Sequence, residues 1–271
     1  MHTRLTRPGP RARALALCAL PVLALFGTAA FAPLPFSVAQ PGQTTDVLGE
    51  DRGKPVITVT GAPVRTTTGQ LRMVTILATG PDADVLLSDV VDSWFRTDRA
   101  VMPRDSVYPA GDSSEEANQH NLAEMKQSQD AATAAALNFV GDSASKVKVT
   151  LNLADVGGPS AGLLFTLGII DKLEGNGSGR NGSGGDLTGG RTIAGTGTIT
   201  ASGEVGAVGG VALKTQAAAR DGAHVFLVPK DECSDAKSEL PAGMRLIPVT
   251  ALKDAVSSLT ALEKGGKVPS C

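Results

Sequence analysis

The most informative stretch of this chain is residues 147–170, which read VKVTLNLADVGGPSAGLLFTLGII. Its first seven residues alternate between apolar and polar types, which predicts a strand with one buried face. From Ala161 the residues are almost entirely apolar until Asp171 and Lys172. Because this apolar segment is too short to cross a membrane, we expect a helix buried in a protein core. Ser160 therefore lies at the junction of a strand and a buried helix.

The residues around Ser160 suit a nucleophile. Flanking glycines let the backbone turn sharply and let a substrate carbonyl approach, and amides at a helix N-terminus can stabilise a developing oxyanion. A serine hydroxyl is a weak nucleophile and needs a base. Gly158-x-Ser160-x-Gly162 also matches the nucleophile elbow of α/β-hydrolases, so the identity of the base separates the two classes.

Histidine and lysine are the two candidate bases. The chain has three histidines, His2, His120 and His224. The hydrolase order of serine, acid and histidine leaves His224, with Asp171, Asp186 or Asp221 as its acidic partner. Lys214 is the alternative, since it is the only charged residue between Gly209 and Ala219. A lysine acts as a base only if burial lowers the pKa of its amine to about 7.5.

The rest of the sequence predicts an α/β (α+β) fold. Uninterrupted helix formers over 115–140, with Ser113 or Ser114 as cap and Gly141 at the end, predict a long helix. Shorter helices are expected at 85–95, with Trp94 in the core, and at 161–173, 211–221 and 251–262. Strands are predicted at 56–60 and 71–77, which we expect to pair, and at 147–153, 192–200, 225–228 and 246–249. Residues 41–53 are predicted to be a linker, and residues 175–190 a mobile glycine-rich loop without hydrophobic anchors.

The N-terminus carries a targeting segment. Arg4, Arg7, Arg11 and Arg13 precede an uncharged stretch, of which Ala14–Ala32 is apolar. Small residues at positions 30 and 32, and at 37 and 39, fit a cleaved signal, but the length of the apolar run favours an uncleaved membrane anchor. The basic flank predicts the N-terminus inside and the remainder outside the cytoplasm, at the cell membrane or secreted. We therefore expect an anchor and the start of a linker at 1–45 and a folded domain at 54–265.

The composition argues against several kinds of partner and allows one disulfide in the exported part. The net charge of −2 and the 3% aromatic content argue against nucleic acid as a partner. No glycine-rich stretch ends in the Gly-Lys-Ser or Gly-Lys-Thr of a P-loop, so no nucleotide is expected, nor any cofactor or metal. In an exported domain Cys233 and Cys271 form either a disulfide or two free thiols.

These motifs together resemble the proteolytic domain of Lon-type serine peptidases. Residues 158–162 look like the family's nucleophile motif, Thr196-Gly197 like its mid-domain Thr-Gly, residues 209–214 like its glycine pair and lysine, and residues 125–128 like its preceding helix. The strong resemblance covers a catalytic core at 147–230 and a weaker one reaches back to Pro55. It implies that Ser160 attacks the peptide carbonyl and forms an acyl-enzyme, that Lys214 is the base, and that Thr196 holds the lysine amine.

The chain also departs from the family pattern. Gly157 stands where many Lon enzymes have an acidic residue, and the sequence has no Walker motif, so peptidase action independent of ATP is expected. It resembles membrane-anchored Lon-like proteins, but only residues 141–146 separate the long helix from the catalytic strand, so no PDZ domain is expected there.

The resemblance implies polypeptide substrates in the cell envelope and a homo-oligomer, commonly a hexamer. An inactive Lon-like scaffold or chaperone is the alternative function.

Overall fold

A computed structural model describes residues 9–108, 113–153, 156–176 and 185–271. In these ranges the helices are α1 (Pro10–Phe31), α2 (Leu87–Trp94), α3 (Arg104–Val107), α4 (Ser114–Val140), α5 (Gly162–Leu173), α6 (Val211–Arg220), α7 (Cys233–Ser238) and α8 (Leu252–Glu263). The strands are β1 (Phe36–Asp46), β2 (Glu50–Asp51), β3 (Lys54–Pro55), β4 (Ile57–Thr60), β5 (Gln70–Ala78), β6 (Ala100–Pro103), β7 (Lys148–Leu151), β8 (Thr192–Gly195), β9 (Thr198–Ile199), β10 (Val205–Gly206), β11 (Val225–Pro229) and β12 (Arg245–Val249). The predicted mixed α/β class is confirmed.

A six-stranded sheet in the order β12-β11-β8-β5-β1-β6 forms the centre of the fold. The first four strands run parallel to one another, and β1 runs antiparallel to both of its neighbours. Successive side chains of a strand point to opposite faces. Accordingly Val225 and Leu227 pack in one core cluster with α5 and α8, whereas Phe226 and Val228 pack in a second with α6 and α7. Helices therefore cover both faces of the sheet.

The buried helix α5 positions the residue that precedes it. All of its residues except Lys172 are buried, and α4 packs along it. Each fully buried leucine, such as Leu163, stabilises the folded state by about 1.5–3 kcal/mol. The partner helix α4 has the predicted limits, since the Ser113 hydroxyl accepts the Glu116 amide at 3.2 Å and the helix ends at Gly141. Ser160 is thus held beside two tightly packed helices.

The prediction of a linker at 41–53 is wrong. Residues 36–46 form β1, in which Ser37 and Ala39 are fully buried, and β1 lies inside the six-stranded sheet. Its pairing with β5 shifts register between Pro41 and Thr44. Such a bulge interrupts the alternation by which a strand is recognised in sequence, so the segment reads as a loop.

Strand pairing also differs from the expectation. The two strands predicted to form a pair do not pair with each other: β4 pairs with β7, and β5 lies between β1 and β8. Pairing between segments far apart in the chain depends on which hydrophobic faces can be buried together, and a local pattern does not contain this. The predicted strand at 192–200 is divided into β8 and β9 by Thr196 and Gly197.

Helix α2 is confirmed, but its tryptophan is not in the core. Trp94 is 83% exposed, and the neighbouring Phe95 is exposed to the same extent. An apolar stripe in the sequence shows which side of a helix is apolar. It does not show whether that side packs against the core of the domain or faces outward.

The glycine-rich segment has a hydrophobic anchor that we did not expect. Residues 177–184, the middle of the predicted mobile loop, lie outside the described residues. Leu187 is 1% exposed, and its amide donates to Asp171 Oδ1 at 2.7 Å. The end of this segment is therefore attached to the C-terminal turn of α5.

The N-terminal helix α1 is long and apolar enough to cross a membrane. The span Ala14–Phe31 meets the criteria of length and composition, and none of it is buried against the rest of the protein. An N-terminal signal sequence would meet the same criteria, so both alternatives from the sequence remain.

Cys233 and Cys271 are joined in a disulfide across 38 positions of the chain. We expect reduction to lower the free energy of unfolding by about 4 kcal/mol, because the unfolded chain regains the entropy of an open loop. Urea unfolding with and without a thiol reductant measures this. The Cys233→Ser/Cys271→Ser variant serves as the control and should match the reduced protein in both conditions. Superimposable curves for the oxidised and reduced wild type would contradict the expectation.

Candidate functional site

Ser160 lies in the turn that leads into α5. Gly158 has a φ of +83°, in the left-handed region that favours glycine, and its amide donates to Asn121 O on α4 at 3.0 Å. Pro159 O accepts the hydroxyl of Ser128, also on α4, at 2.9 Å. The Ser160 side chain is partly exposed. The long helix therefore fixes the backbone on the N-terminal side of Ser160, and Ser160 itself lines a pocket.

The first turn of α5 packs too closely for a side chain at Gly162. A Cβ there would lie 2.9 Å from both the Ile199 side chain and Ser128 Oγ. Real Cβ atoms do not approach other heavy atoms this closely, so an alanine would push apart α4, α5 and β9. Gly162 thus allows the close packing that holds this turn in place.

Lys214 lies on α6 and is almost completely buried, with 3% of its surface exposed. Its amine donates to Thr196 Oγ1 at 3.2 Å. Thr196 is itself fully buried and donates its hydroxyl proton to Ser160 O at 3.2 Å. Because that proton is committed to the carbonyl, the lone pairs of Thr196 Oγ1 face the lysine amine. The structure therefore links all three predicted site residues, with Thr196 between the other two.

Burial lowers the pKa of the Lys214 amine to about 8, from an ordinary value of 10.5. The charged amine loses its hydration in this site, which favours the neutral form. Two carboxylates, Glu232 and Asp235, oppose the shift by stabilising the charged form. At pH 7, one unit below this pKa, roughly a tenth of the amines is therefore uncharged and able to accept a proton.

Ser160 and Lys214 line the same pocket, of about 350 Å³. Its walls come from α4, from the segment after β6, from β5 and from residues 207–209. Among the described residues the amine bonds to Thr196, and no hydrogen bond joins it to the Ser160 hydroxyl. Catalytic hydrogen bonds are often long without substrate and shorten when substrate binds.

A larger cleft of about 830 Å³ adjoins this pocket. The two share five lining residues, which are Thr75, Ile76, Val107, Asn121 and Gly157. From there the cleft extends along β1 and β5 to Arg52 and Arg220. The pocket of Ser160 thus continues into a cleft of more than twice its volume.

Two acidic residues that the sequence did not reveal support the lysine helix. Asp235 Oδ2 accepts the amides of Val211 and Ala212, at 2.9 and 3.4 Å, and so caps α6, whose N-cap residue is a glycine. Glu232 Oε1 accepts the Val208 amide at 2.8 Å and thereby holds the pocket wall. Burial raises the pKa of Glu232. The sequence contained one signal for such a residue. Helix α6 begins after Gly210, which has no side chain to cap the helix, so a cap from elsewhere in the chain is needed.

The histidine alternative is not supported at the predicted residue. His224 is exposed at the start of β11 and does not line the pocket of Ser160. Its proposed partners lie elsewhere: Asp171 accepts from Leu187, Asp186 accepts from Thr68, and Asp221 pairs with Arg220. The structure instead brings His120 into the pocket, with Nε2 3.3 Å from a carboxylate oxygen of Glu124. The hydrolase order of serine, acid and histidine did not point to His120, because this residue precedes Ser160 in the chain.

Comparisons with known proteins identify the family to which this chain belongs. The family model of the Lon protease (S16) C-terminal proteolytic domain matches residues 125–261, half of the chain. A Lon protease of Chloroflexus aggregans (strain MD-66 / DSM 9485) is 35% identical over 102 residues, which is 36% of this chain and 11% of that protein. The aligned part of this chain thus spans about a tenth of the length of that relative. Residues 125–261, which the family model matches, include Ser160, Thr196 and Lys214.

Proposed function

This chain belongs to the family of Lon protease (S16) C-terminal proteolytic domains, and from that premise we propose that it is an endopeptidase with a Ser160–Lys214 dyad. One observation carries the proposal: a partly exposed serine and a buried lysine, held by a shared threonine, line one pocket. Burial keeps the lysine pKa near 8, within the range in which a general base works at neutral pH.

In the proposed mechanism the neutral Lys214 amine removes the proton of the Ser160 hydroxyl as the oxygen attacks the scissile carbonyl. Amides at the start of α5 stabilise the oxyanion. Lys214 then returns the proton to the leaving amine, and the C–N bond breaks to give an acyl-enzyme on Ser160. Water, activated by the same amine, releases the second product. Thr196 keeps the amine oriented through both steps.

The proposed substrates are extended polypeptides on the outer side of the cytoplasmic membrane. The cleft beside the dyad supports a polymeric substrate, and the basic residues before the apolar part of α1 support this orientation. We propose that cleavage needs no nucleotide, because the sequence contains no P-loop motif. Such an enzyme would act on unfolded or loosely folded chains, which enter the cleft without mechanical unfolding.

Labelling with a fluorophosphonate probe tests the nucleophile directly. The full chain in detergent is treated with the probe, digested and analysed by mass spectrometry, while cleavage of casein is followed in parallel. We expect one adduct, on the peptide that contains Ser160, with a matching loss of casein cleavage. An adduct on another serine, or intact casein cleavage after complete labelling, would contradict the proposal. Absence of both labelling and cleavage would favour an inactive scaffold.

The pH dependence of cleavage tests the base. We expect kcat/KM to rise between about pH 6 and 9, because the fraction of neutral Lys214 grows as the pH passes its pKa of about 8. Replacing Glu232 with glutamine removes a charge that raises this pKa, so the rise should move to lower pH. Glu239→Gln, an exposed carboxylate on the same segment, serves as the control and should leave the profile unchanged. A profile that is flat, or identical in Glu232→Gln and wild type, would argue against a titrating Lys214.

A further inference from the structure

Helix α2 presents an apolar stripe to the outside of the protein. Leu87, Val91 and Trp94 are 41%, 49% and 83% exposed, and Phe95, directly after the helix, is 83% exposed. Positions three and four apart lie on one side of a helix, so these side chains form a continuous surface. We call these four residues the α2 stripe. Exposed apolar patches that include a tryptophan and a phenylalanine mark interaction sites.

The opposite side of α2 is fixed to the domain. Ser93 is buried, its hydroxyl donates to Asp89 O at 2.6 Å, and α2 contacts β1 and β6. Asp89 accepts the amide of Leu86 at the start of the helix, at 2.8 Å. An ion pair of 2.8 Å between Arg99 and Asp92 ties the helix to the chain that follows it. The α2 stripe is therefore held outward by a rigid support.

The stripe lies beside the point at which the membrane-spanning candidate α1 joins the domain. Three residues after α1, Leu34 forms a bridge with Val85, and its amide donates to Val85 O at 2.8 Å. The guanidinium of Arg104 donates to Ala83 O at 2.8 Å and to Leu34 O at 3.4 Å. Helices α1 and α2 are also in contact. The chain thus leaves α1 directly beside the start of α2.

From this arrangement we propose that the α2 stripe lies in the headgroup region of the bilayer that α1 crosses. Tryptophan and phenylalanine are favoured at this depth, since the tryptophan ring is apolar and its N–H can still bond to water or headgroups. The charged residues around the stripe, Asp92, Arg96, Asp98 and Arg99, can stay in water or meet lipid headgroups. A second contact beside the anchor would fix the orientation of the domain, and with it the cleft, relative to the membrane.

The chain contains a single tryptophan, so its fluorescence reports on the stripe alone. The full chain is reconstituted in phosphatidylcholine vesicles made with or without lipids brominated near the headgroup, and acrylamide is the aqueous quencher. We expect Trp94 emission at short wavelength, strong quenching by the brominated lipid, and weak quenching by acrylamide. Emission at long wavelength, with full access to acrylamide and no effect of bromine, would overturn the proposal.

A relocated tryptophan provides the matched control. In the variant Trp94→Phe/Phe139→Trp the single tryptophan lies near the end of α4, where the native phenylalanine is 41% exposed. Its emission should be quenched by acrylamide and unaffected by the brominated lipid. Equal bromine quenching at both positions would overturn the assignment to α2. Protection of Trp94 that depends on the protein-to-lipid ratio, without bromine quenching, would assign the stripe to a second copy of the chain and also overturn it.

The inference requires that α1 crosses the bilayer, and the same vesicles separate the possible failures. Alkaline carbonate extraction reports on α1, and release of the chain from the vesicles would overturn both the anchor and the stripe. Retention of the chain without quenching of Trp94 would overturn the stripe alone. Casein cleavage by the same sample reports on the proposed peptidase independently of either result.

Discussion

Replacement of Ser160 by alanine is expected to lower casein cleavage on the order of 10³-fold or more, because no other group takes over the acyl-enzyme step. The fold should persist. The described hydrogen bonds at Ser160 are made by its carbonyl, which accepts from the Gly197 amide at 2.9 Å and from the Thr196 hydroxyl. Alanine retains that carbonyl. Kinetics with casein, together with circular dichroism and thermal unfolding of the full chain, measure both parts.

The control for this variant is Ser257→Ala. Ser257 is an exposed serine on α8, outside the pocket, and its loss should leave cleavage unchanged. If Ser160→Ala retained activity within about tenfold of the wild type with its fold intact, the assignment of the nucleophile would be wrong, because loss of a nucleophile costs far more than this.

Replacement of Lys214 by methionine is expected to abolish cleavage and to stabilise the protein at neutral pH. Activity should fall on the order of 10³-fold or more, because the Ser160 hydroxyl loses its base. Holding this amine in a buried site lowers its pKa from 10.5 to about 8. That shift corresponds to a destabilisation of about 3 kcal/mol below pH 8, since folding there requires either a buried charge or loss of a proton. Methionine has similar length and carries no charge, so the penalty disappears.

The sign of this effect can be checked across pH. Between pH 8 and 10.5 the unfolded chain still binds the proton that the folded protein has released, so the stability of the wild type should rise with pH in this window. The methionine variant lacks this contribution, and its advantage should shrink as the pH rises. Urea unfolding at several pH values measures the difference. A constant difference, or a destabilised methionine variant at pH 7, would show that the amine carries no such penalty.

A histidine variant separates the two possible bases in the pocket. His120 lines the same pocket and lies near Glu124, so it is the competing proton acceptor. We expect His120→Ala to retain most of the activity and Lys214→Met to lose it. The reverse result would transfer the role of base to the histidine. Lys214→Arg is expected to be inactive as well, because a guanidinium stays charged at every accessible pH.

The candidate nucleophile and base could be predicted because the patterns that mark them lie within a few neighbouring positions of the sequence. A serine between glycines before an apolar helix, and a lysine isolated in a neutral stretch, each point to an unusual environment, and the resemblance to Lon-type domains linked them. The limits of α4, α5 and α6 followed from composition and from terminating residues such as Gly141. Glu232 and Asp235 were missed because their contacts with residues 208–212 span more than twenty positions of the chain.

The sequence by itself determined the α/β class, the longer helices of the domain and the candidate nucleophile and base, because periodicity, capping and isolated polar residues act over a few neighbouring positions. It did not reveal the short helices α3 and α7. Only the tertiary structure decided that β1 enters the sheet across its bulge, that β4 pairs with β7, and that Thr196 connects the lysine to Ser160. It also decided that Trp94 faces outward. Each of these outcomes depends on which distant surfaces are buried together, and that is settled by packing of the whole chain.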